Sequence, residues 1–277
     1  MKFGIAFFAT DTAMDVVQLA RAVEERGFES FWLPEHTHIP VSRRSPWPGG
    51  GELPERYKRT LDPFVAMGAL AASTERVLLG FGIVLLIQRD PIITAKAVAT
   101  LDLLSGGRVL FGVGGGWNLE EMENHGTEPK RRWRLLRERV LAMKEIWTQD
   151  VAEFHGELVD FGPIWSWPKP VQKPHPPVLV GGNAENTLKR VIEYGDGWIP
   201  NEGRSARPLA DQISDLRRMS EEAGRGHLPV TVYGTHATPE AVEGYARAGV
   251  DRLVFWMPSE PDSVVMPRLE KVTALTR

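Results

Sequence analysis

The chain has 277 residues, of which 42% are hydrophobic and 25% charged, and its formal net charge is -3 at pH 7. This length is usual for an α/β barrel, and we expect residues 1–277 to form one domain. The weak negative charge gives no long-range attraction to nucleic acid or anionic lipid, and no stretch is apolar for long enough to cross a membrane. The absence of cysteine excludes disulfides, thiolate nucleophiles and cysteine-bound metals. We expect a soluble, cytoplasmic protein.

Short apolar runs alternate with longer amphipathic stretches along the chain. The predicted strands are residues 2–8, 29–34, 76–86, 108–113, 178–182, 196–200, 229–234 and 251–257. The predicted helices are residues 12–27, 62–73, 90–106, 130–148, 184–194, 207–223, 238–248 and 261–276. A first strand at MKFGIAFFAT also fits this segment better than a signal peptide does.

Several local signals set the predicted helix ends. Thr12 and Asp15 are expected to form a capping box for the first helix. Asp-Pro pairs begin the helices at 62 and 90, and Thr238 with Pro239 begins another. In the helix at 130–148 the apolar stripe is predicted to be core, and its members are Trp133, Leu136, Val140, Met143 and Trp147.

One segment interrupts the alternation. Residues 152–177 are rich in proline and aromatic side chains, and FHGELVDF within them predicts a small hairpin. Trp165 and Trp167 in this segment either pack against the protein or form the wall of a lid. Eight strand and helix pairs favour a (β/α)8 TIM barrel with this insertion between the fourth and fifth strands, because buried parallel strands need crossover helices. A doubly wound sheet is the alternative.

In such a barrel the carboxyl ends of the strands form the working face, and four of these ends carry distinctive residues. They are LPEHTHIP after strand 2, GFGIVLLIQRDP after strand 3, GVGGGWNLEEM after strand 4 and VGGNAEN after strand 5. Glycines at a strand end before a helix let backbone amides approach a phosphate, although tight packing of strand against helix also explains such glycines. Trp117 stands where a dinucleotide fingerprint would require glycine. Two such ends side by side favour a ligand that carries phosphate.

Four segments in this order resemble one known family: residues 80–122, FHGELVDF, PKPVQKPHPPVLVGGN and YGDGWIP. They are similar to the luciferase-like monooxygenase superfamily, and specifically to its F420-dependent oxidoreductase branch. The resemblance covers most of the chain up to about Asn201. It implies a TIM barrel that binds the deazaflavin F420, or alternatively FMN, at its C-terminal mouth, and a homodimer formed through surfaces early in the barrel.

The resemblance also assigns roles to individual residues. Glu35 and His36 would lie beside the cofactor, and His36 would be the catalytic proton donor or acceptor, although it could also simply satisfy a loop carbonyl. A non-prolyl cis peptide between Gly82 and Ile83 would back the deazaflavin ring. The residues expected at the ring edge and phosphate are Gly114, Gly115, Gly116, Trp117, Val180, Gly181, Gly182 and Asn183.

This sequence departs from the F420-dependent sugar-phosphate dehydrogenases in one respect. They have a second acid/base glutamate where this chain has Trp117, which cannot move protons, so their mechanism and substrate are not implied. Glu120 and Glu121 follow nearby, and we expect them to stay solvated at a helix start. The expected activity is hydride transfer between F420 and a small apolar or aromatic molecule.

The loop after strand 2 is expected to cover the mouth, with Trp47 closing over the substrate. Its basic residues either meet the anionic tail of F420 or stay solvated, and they are Arg43, Arg44, Lys58 and Arg59. His38 is expected to be exposed or structural.

Three other functions remain open. A reduced-FMN monooxygenase of the same superfamily is the nearest, and a non-catalytic flavin-binding protein is another. A metal-dependent hydrolase is suggested by His-x-His in EHTH, but only His236 is placed to add a third ligand, so we expect no metal site.

Overall fold

The computed structural model describes residues 1–201, 203, 207–235 and 238–276. In these residues eight parallel strands form one sheet, and their order is β8 (Gly197–Ile199), β7 (Val178–Gly181), β4 (Val109–Val113), β3 (Leu78–Phe81), β2 (Ser30–Leu33), β1 (Lys2–Phe7), β10 (Arg252–Met257) and β9 (Thr231–Thr235). Parallel bridges join Trp198 to Val230 and Asn201 to Tyr233, so β8 also lies beside β9 and the sheet closes on itself. The predicted TIM barrel is therefore confirmed.

The strands are β1 (Lys2–Phe7), β2 (Ser30–Leu33), β3 (Leu78–Phe81), β4 (Val109–Val113), β5 (Ala152–His155), β6 (Asp160–Ile164), β7 (Val178–Gly181), β8 (Gly197–Ile199), β9 (Thr231–Thr235) and β10 (Arg252–Met257). The helices are α1 (Val16–Glu25), α2 (Pro63–Ser73), α3 (Pro91–Ser105), α4 (Leu119–Asn124), α5 (Arg132–Thr148), α6 (Thr187–Tyr194), α7 (Leu209–Glu222), α8 (Pro239–Ala248) and α9 (Asp262–Ala274). Short 3-10 segments lie at Glu55–Lys58, Leu86–Gln88 and Pro129–Arg131. In the part of the chain described, no helix combines the length and apolar character needed to cross a bilayer.

Most of the predicted helix ends are confirmed. The Asp62 carboxylate accepts hydrogen bonds from the amides of Phe64 and Val65 at the start of α2, and the Asp90 carboxylate caps α3 by accepting from the Ile93 amide. Gly106 ends α3 with a φ of 68°, a left-handed conformation that suits glycine. The antiparallel pair β5–β6 is the hairpin predicted between the fourth and fifth barrel strands.

Three predicted boundaries are wrong. The capping box is not formed, because α1 begins at Val16 and Asp15 alone caps it by accepting from the Gln18 amide. The helix expected from 184 begins three residues later, at Thr187. The third strand ends at Phe81 rather than 86, because the cis bond after Gly82 interrupts the regular pairing, which returns only as a bridge from Val84 to Val113 before a 3-10 segment begins at Leu86.

Side chains on the strands alternate between two apolar layers. The larger layer lies between the sheet and the helices, and the smaller one fills the barrel interior. Trp32 is the largest interior side chain, and its indole N–H donates to the Ser30 hydroxyl at 2.8 Å. A Cβ on Gly80 would lie 2.2 Å from the Trp32 ring, so glycine on β3 makes room for this ring. The filled interior leaves open space at the carboxyl ends of the strands.

Candidate active site

A cavity of about 410 Å³ opens at the carboxyl ends of the strands. It lies where the sequence predicted the working face, and its size suits a small-molecule ligand. Most of the predicted site residues line it: Glu35, His36, Gly82, Ile83, Gly114, Gly115, Gly116, Trp117, Gly181 and Gly182.

Val180 and Asn183 are the two predicted residues that do not line the cavity. Val180 is completely buried in β7. The Asn183 side chain donates to the carbonyl of Asn201 and accepts from its amide, at 3.0 and 2.9 Å. Asn183 thus ties the end of β7 to Asn201, and Asn201 is the residue of this pair that reaches the cavity.

The floor of the cavity is built around Ile83. The peptide bond between Gly82 and Ile83 is cis, as the resemblance implied. A Cβ on Gly114 would lie 2.9 Å from Ile83 Cδ1, and a Cβ on Gly181 would lie 2.8 Å from Ile83 Cγ2. Both glycines therefore make room for the same side chain. Tight packing, rather than binding of a phosphate, therefore explains glycine at these two positions. The close approach of both backbones to Ile83 holds its side chain between the ends of β4 and β7.

One backbone turn beside Ile83 leaves two amides without partners. Among the described residues, no acceptor is found for the amides of Gly115 and Gly116. Gly116 has a φ of 63°, which favours glycine. The Gly182 amide donates to the Ile199 carbonyl at 3.0 Å, and α6 begins further along, at Thr187, without a side-chain cap. Free amides and a helix N-terminus are the groups that bind phosphate in other proteins.

Glu35 supports the segment after the cis bond. Its carboxylate accepts from the Leu85 amide at 2.6 Å and from Arg89 Nε at 2.6 Å. Burial raises the pKa of Glu35, although Arg89 beside it favours the charged form. Arg89 also donates to Asp62 at 2.9 Å, which links this segment to the start of α2. The oxygen atoms of Glu35 are therefore already engaged in holding residues 85–89.

His36 forms a buried pair with Glu121. Its Nδ1 lies 2.8 Å from Glu121 Oε2, and the Thr37 amide donates to Oε1 of the same carboxylate at 3.2 Å. A carboxylate only accepts, so the proton of a neutral His36 is on Nδ1, and Nε2 is left as the acceptor. Both side chains are at least nine-tenths buried. Glu121 thus orients an imidazole that lines the cavity.

The prediction that Glu120 and Glu121 stay solvated is wrong. The loop after β2 folds back over α4 and buries both carboxylates. Glu120 accepts from the Ser42 hydroxyl and from the amides of Arg44 and Ser45 at 2.8, 2.5 and 2.9 Å. Burial opposes ionisation, but these hydrogen bonds prevail and lower the pKa of Glu120 to about 2. Glu120 therefore anchors the loop that covers the mouth.

Aromatic rings form the wall opposite the glycine turns. Tyr57, from the 3-10 segment of the loop, lies with its ring centroid 4.8 Å from Phe8, 5.3 Å from His36 and 6.2 Å from Trp117. Trp47 also lines the cavity and meets Tyr57 edge-on. Trp47 was expected to cover the mouth, but Tyr57 and Phe8 were not identified from the sequence. Phe8 directly follows β1, whereas Tyr57 lies on the long loop after β2 and has no comparable signal in the sequence.

Trp133 and Arg190 are a second pair that sequence reasoning missed. Leu136, Val140, Met143 and Trp147 are core as predicted, but Trp133 is half-buried and lines the cavity. The Arg190 guanidinium lies 3.8 Å from the centre of the Trp133 ring. A Cβ on Gly115 would meet this ring at 2.6 Å, so Gly115 also makes room for it. The pair brings a cation beside the glycine turns.

Other candidate residues lie outside the cavity. Arg44 pairs with Glu123, Lys58 with Glu55 and Arg59 with Asp11. Arg43 stacks on Trp117. Trp165 and Trp167 are 81% and 57% exposed, so they do not pack into the protein as one expectation required. Neither residue lines the cavity, so they do not form the wall of a lid either.

His38 has a structural role. It hydrogen-bonds Thr37 and Asn124, each at 2.9 Å. Within the described ranges, no three His, Cys, Asp or Glu residues are grouped to hold a metal ion, and His236 lies outside those ranges.

Comparisons with known proteins give relatives of two cofactor types. The chain is 41% identical over 279 residues to the uncharacterized protein Rv0953c of Mycobacterium tuberculosis, covering 99% of this chain and 98% of that one. It is 29% identical over 253 residues to an F420-dependent glucose-6-phosphate dehydrogenase of Amycolatopsis mediterranei, covering 88% and 70%. It is 30% identical over 199 residues to an FMNH(2)-dependent dimethylsulfone monooxygenase of Pseudomonas putida, covering 71% and 53%.

A solved structure shares the fold at low identity. An F420-dependent secondary alcohol dehydrogenase in complex with an F420-acetone adduct matches with a TM-score of 0.76 and 17% identity, covering 99% of this chain and 97% of that one. The sequence model of the family described as Luciferase-like monooxygenase matches residues 1–270. The chain therefore belongs to the luciferase-like monooxygenase family.

Proposed function

We propose that this protein is an F420-dependent oxidoreductase that transfers a hydride between deazaflavin F420 and a small apolar or aromatic molecule. One observation carries the proposal: His36, oriented by Glu121, lines the same cavity as the Ile83 floor and two glycine turns. Family membership supports an oxidoreductase. The F420-dependent relative, which matches 88% of this chain, supports the choice of cofactor.

The residues of the cavity fit a flat cofactor with a phosphate. Ile83, held between Gly114 and Gly181, offers an apolar floor for the ring. The free amides near Gly115 and the uncapped start of α6 would hold the phosphate, with Arg190 contributing positive charge. When bound, F420 supplies the hydride donor or acceptor.

The chain's own chemical contribution is a positioned proton carrier. His36 can accept a proton at Nε2 from a substrate hydroxyl, or return one to a substrate oxygen when the reaction runs the other way. The hydrogen bond from Nδ1 to Glu121 holds the ring in place while Nε2 exchanges the proton. The aromatic wall around Tyr57 excludes water and orients an apolar substrate.

A titration of the purified chain with F420, FMN and FAD, followed by fluorescence, tests the cofactor. We expect saturable micromolar binding of F420. The matched control is His36→Ala, which should keep the cofactor affinity and lose turnover with a substrate found by screening.

The alternative is an FMNH2-dependent monooxygenase, which the 30% identity to the dimethylsulfone enzyme favours. Binding of FMN without F420 would establish this alternative and overturn F420. Cofactor binding without turnover of any substrate would indicate a non-catalytic flavin-binding protein. Unchanged turnover in His36→Ala would remove the role given to His36.

We also propose that the protein is a homodimer that associates through α2 and α3. These two helices carry large apolar side chains that face solvent in the single chain. Val65 on α2 is 76% exposed, and Ile93 and Leu104 on α3 are 71% and 67% exposed. Covering these side chains in a partner would remove apolar area from water.

A further inference from the structure

Arg56 is the one lysine or arginine among the described residues that line the cavity. Its guanidinium carbon lies 5.4 Å from the Phe8 ring centroid and 5.5 Å from that of Tyr57. The neighbouring basic side chains Lys58 and Arg59 are each ion-paired with an acidic residue. In the described part of the chain, Arg56 has contacts to rings but no ion pair and no side-chain hydrogen bond. Its donors are therefore available to a ligand.

Arg56 lies across the barrel from the glycine turn at the end of β7. It stacks on Phe8, which directly follows β1, whereas Gly181 and Gly182 lie at the end of β7. In the sheet order, β7 and β1 are four strands apart, which is half of an eight-stranded ring. The cavity therefore has a cation on the opposite side from the Gly181–Gly182 turn. An anion bound at Arg56 is a different group from a phosphate bound at the start of α6.

The surroundings of Arg56 specify the chemistry of that group. The two rings hold the guanidinium in place, so it loses less freedom when it binds than a free side chain would. A guanidinium presents paired N–H donors that match the two oxygens of a carboxylate. Tyr57 and Trp47 beside it are flat apolar surfaces on the cavity wall.

We propose that Arg56 binds the carboxylate of the substrate, and that the substrate class is planar aromatic or unsaturated carboxylic acids. This inference rests on the proposed function, because it takes the glycine side for the cofactor. A carboxylate bound at Arg56 has a second possible origin, since the tail of F420 also carries carboxylates. The experiment separates the two sources.

The test compares benzoate with benzamide, which has the same shape and no charge. Affinities are measured by ligand-observed NMR titration of the full chain, first without cofactor and then saturated with the cofactor that binds. We expect wild-type protein to bind benzoate at least about tenfold more tightly than benzamide, since hydrogen bonds to charged groups are strong. Arg56→Gln should abolish this preference. Arg59→Gln, on the same loop but paired with Asp11, is the matched control and should keep it.

Three results would overturn the inference. The first is equal affinity of wild-type protein for benzoate and benzamide, including no measurable binding of either. The second is a benzoate preference that persists in Arg56→Gln. The third is a loss of F420 affinity in Arg56→Gln without any probe, which would assign Arg56 to the cofactor tail. Failure of the proposed function differs from all three, because the benzoate preference is also measured without cofactor.

Discussion

Replacing Gly114 by alanine tests whether Ile83 is held by the two glycines. The added Cβ would lie 2.9 Å from Ile83 Cδ1 and 3.1 Å from Cγ1, so the Ile83 side chain must move. The backbone itself is not strained, because Gly114 does not have a positive φ. Overpacking of this kind costs about 1–3 kcal/mol. The displaced side chain would also raise the cavity floor, so cofactor affinity should fall with stability.

The geometry predicts which second substitution relieves this cost. Ile83→Val removes Cδ1, the atom nearest the new Cβ at position 114, and keeps Cγ2, the atom nearest a Cβ at position 181. Ile83→Val alone should cost about 0.5–1.5 kcal/mol. Combined with Gly114→Ala, it should cost less than the sum by at least about 0.5 kcal/mol. Combined with Gly181→Ala, the two costs should add.

Urea unfolding of the three single and two double variants gives these free energies, and a cofactor titration gives the parallel change in affinity. The reasoning is refuted if the Gly114→Ala and Ile83→Val costs add within error. It is equally refuted if Ile83→Val relieves Gly181→Ala as well, because that would show a general loosening rather than one atomic contact.

Three further predictions follow from the buried carboxylates and the exposed helix face. Glu120→Gln should lower the melting temperature at pH 7. The difference from the wild type should shrink as the pH falls from about 4.5 towards 2, because the pKa of Glu120 is lowered in the folded state. A difference in melting temperature that does not depend on pH would contradict this. Glu121→Gln should give a mixture of neutral His36 tautomers in ¹⁵N NMR, whereas the neutral wild-type ring should carry its proton on Nδ1. Cofactor affinity should be unchanged. A single Nδ1–H tautomer in the variant would show that Glu121 does not orient the ring. Ile93→Asp should convert a dimer to a monomer in sedimentation velocity, and the monomeric variant should remain folded, because Ile93 is exposed in the single chain. A wild-type protein that is monomeric at micromolar concentration would refute the dimer.

The barrel was predictable because its evidence is local. Parallel strands buried on both faces appear as continuous apolar runs, and Asp62 and Asp90 mark helix starts with a following proline. The same rule extended the third strand too far. Val84 and Leu85 are as apolar as strand residues, but Val84 is buried at a single bridge to Val113 after the cis bond, and Leu85 is buried at the cavity. The apolar composition of the segment therefore does not show where the regular strand ends.

Apart from Trp47 on the loop after β2, the site was predictable where a residue lies next to a strand end. His36, Gly114 and Gly181 meet this condition, and all three line the cavity. The burial of Glu121 was not predictable, because it depends on a loop returning from residues 37–45 over α4. Trp133 lies on the apolar stripe of α5, and the sequence does not show that this end of the stripe reaches the mouth.

The contacts of Glu35 have an evolutionary consequence. Arg89 joins this buried carboxylate to Asp62, so one cation serves two acids on different elements. Loss of either member of a buried ion pair leaves an uncompensated charge and costs about 3–5 kcal/mol. We therefore expect homologues to inherit Glu35 and Arg89 together or to have replaced both, and a lineage retaining the acid without the base should be rare.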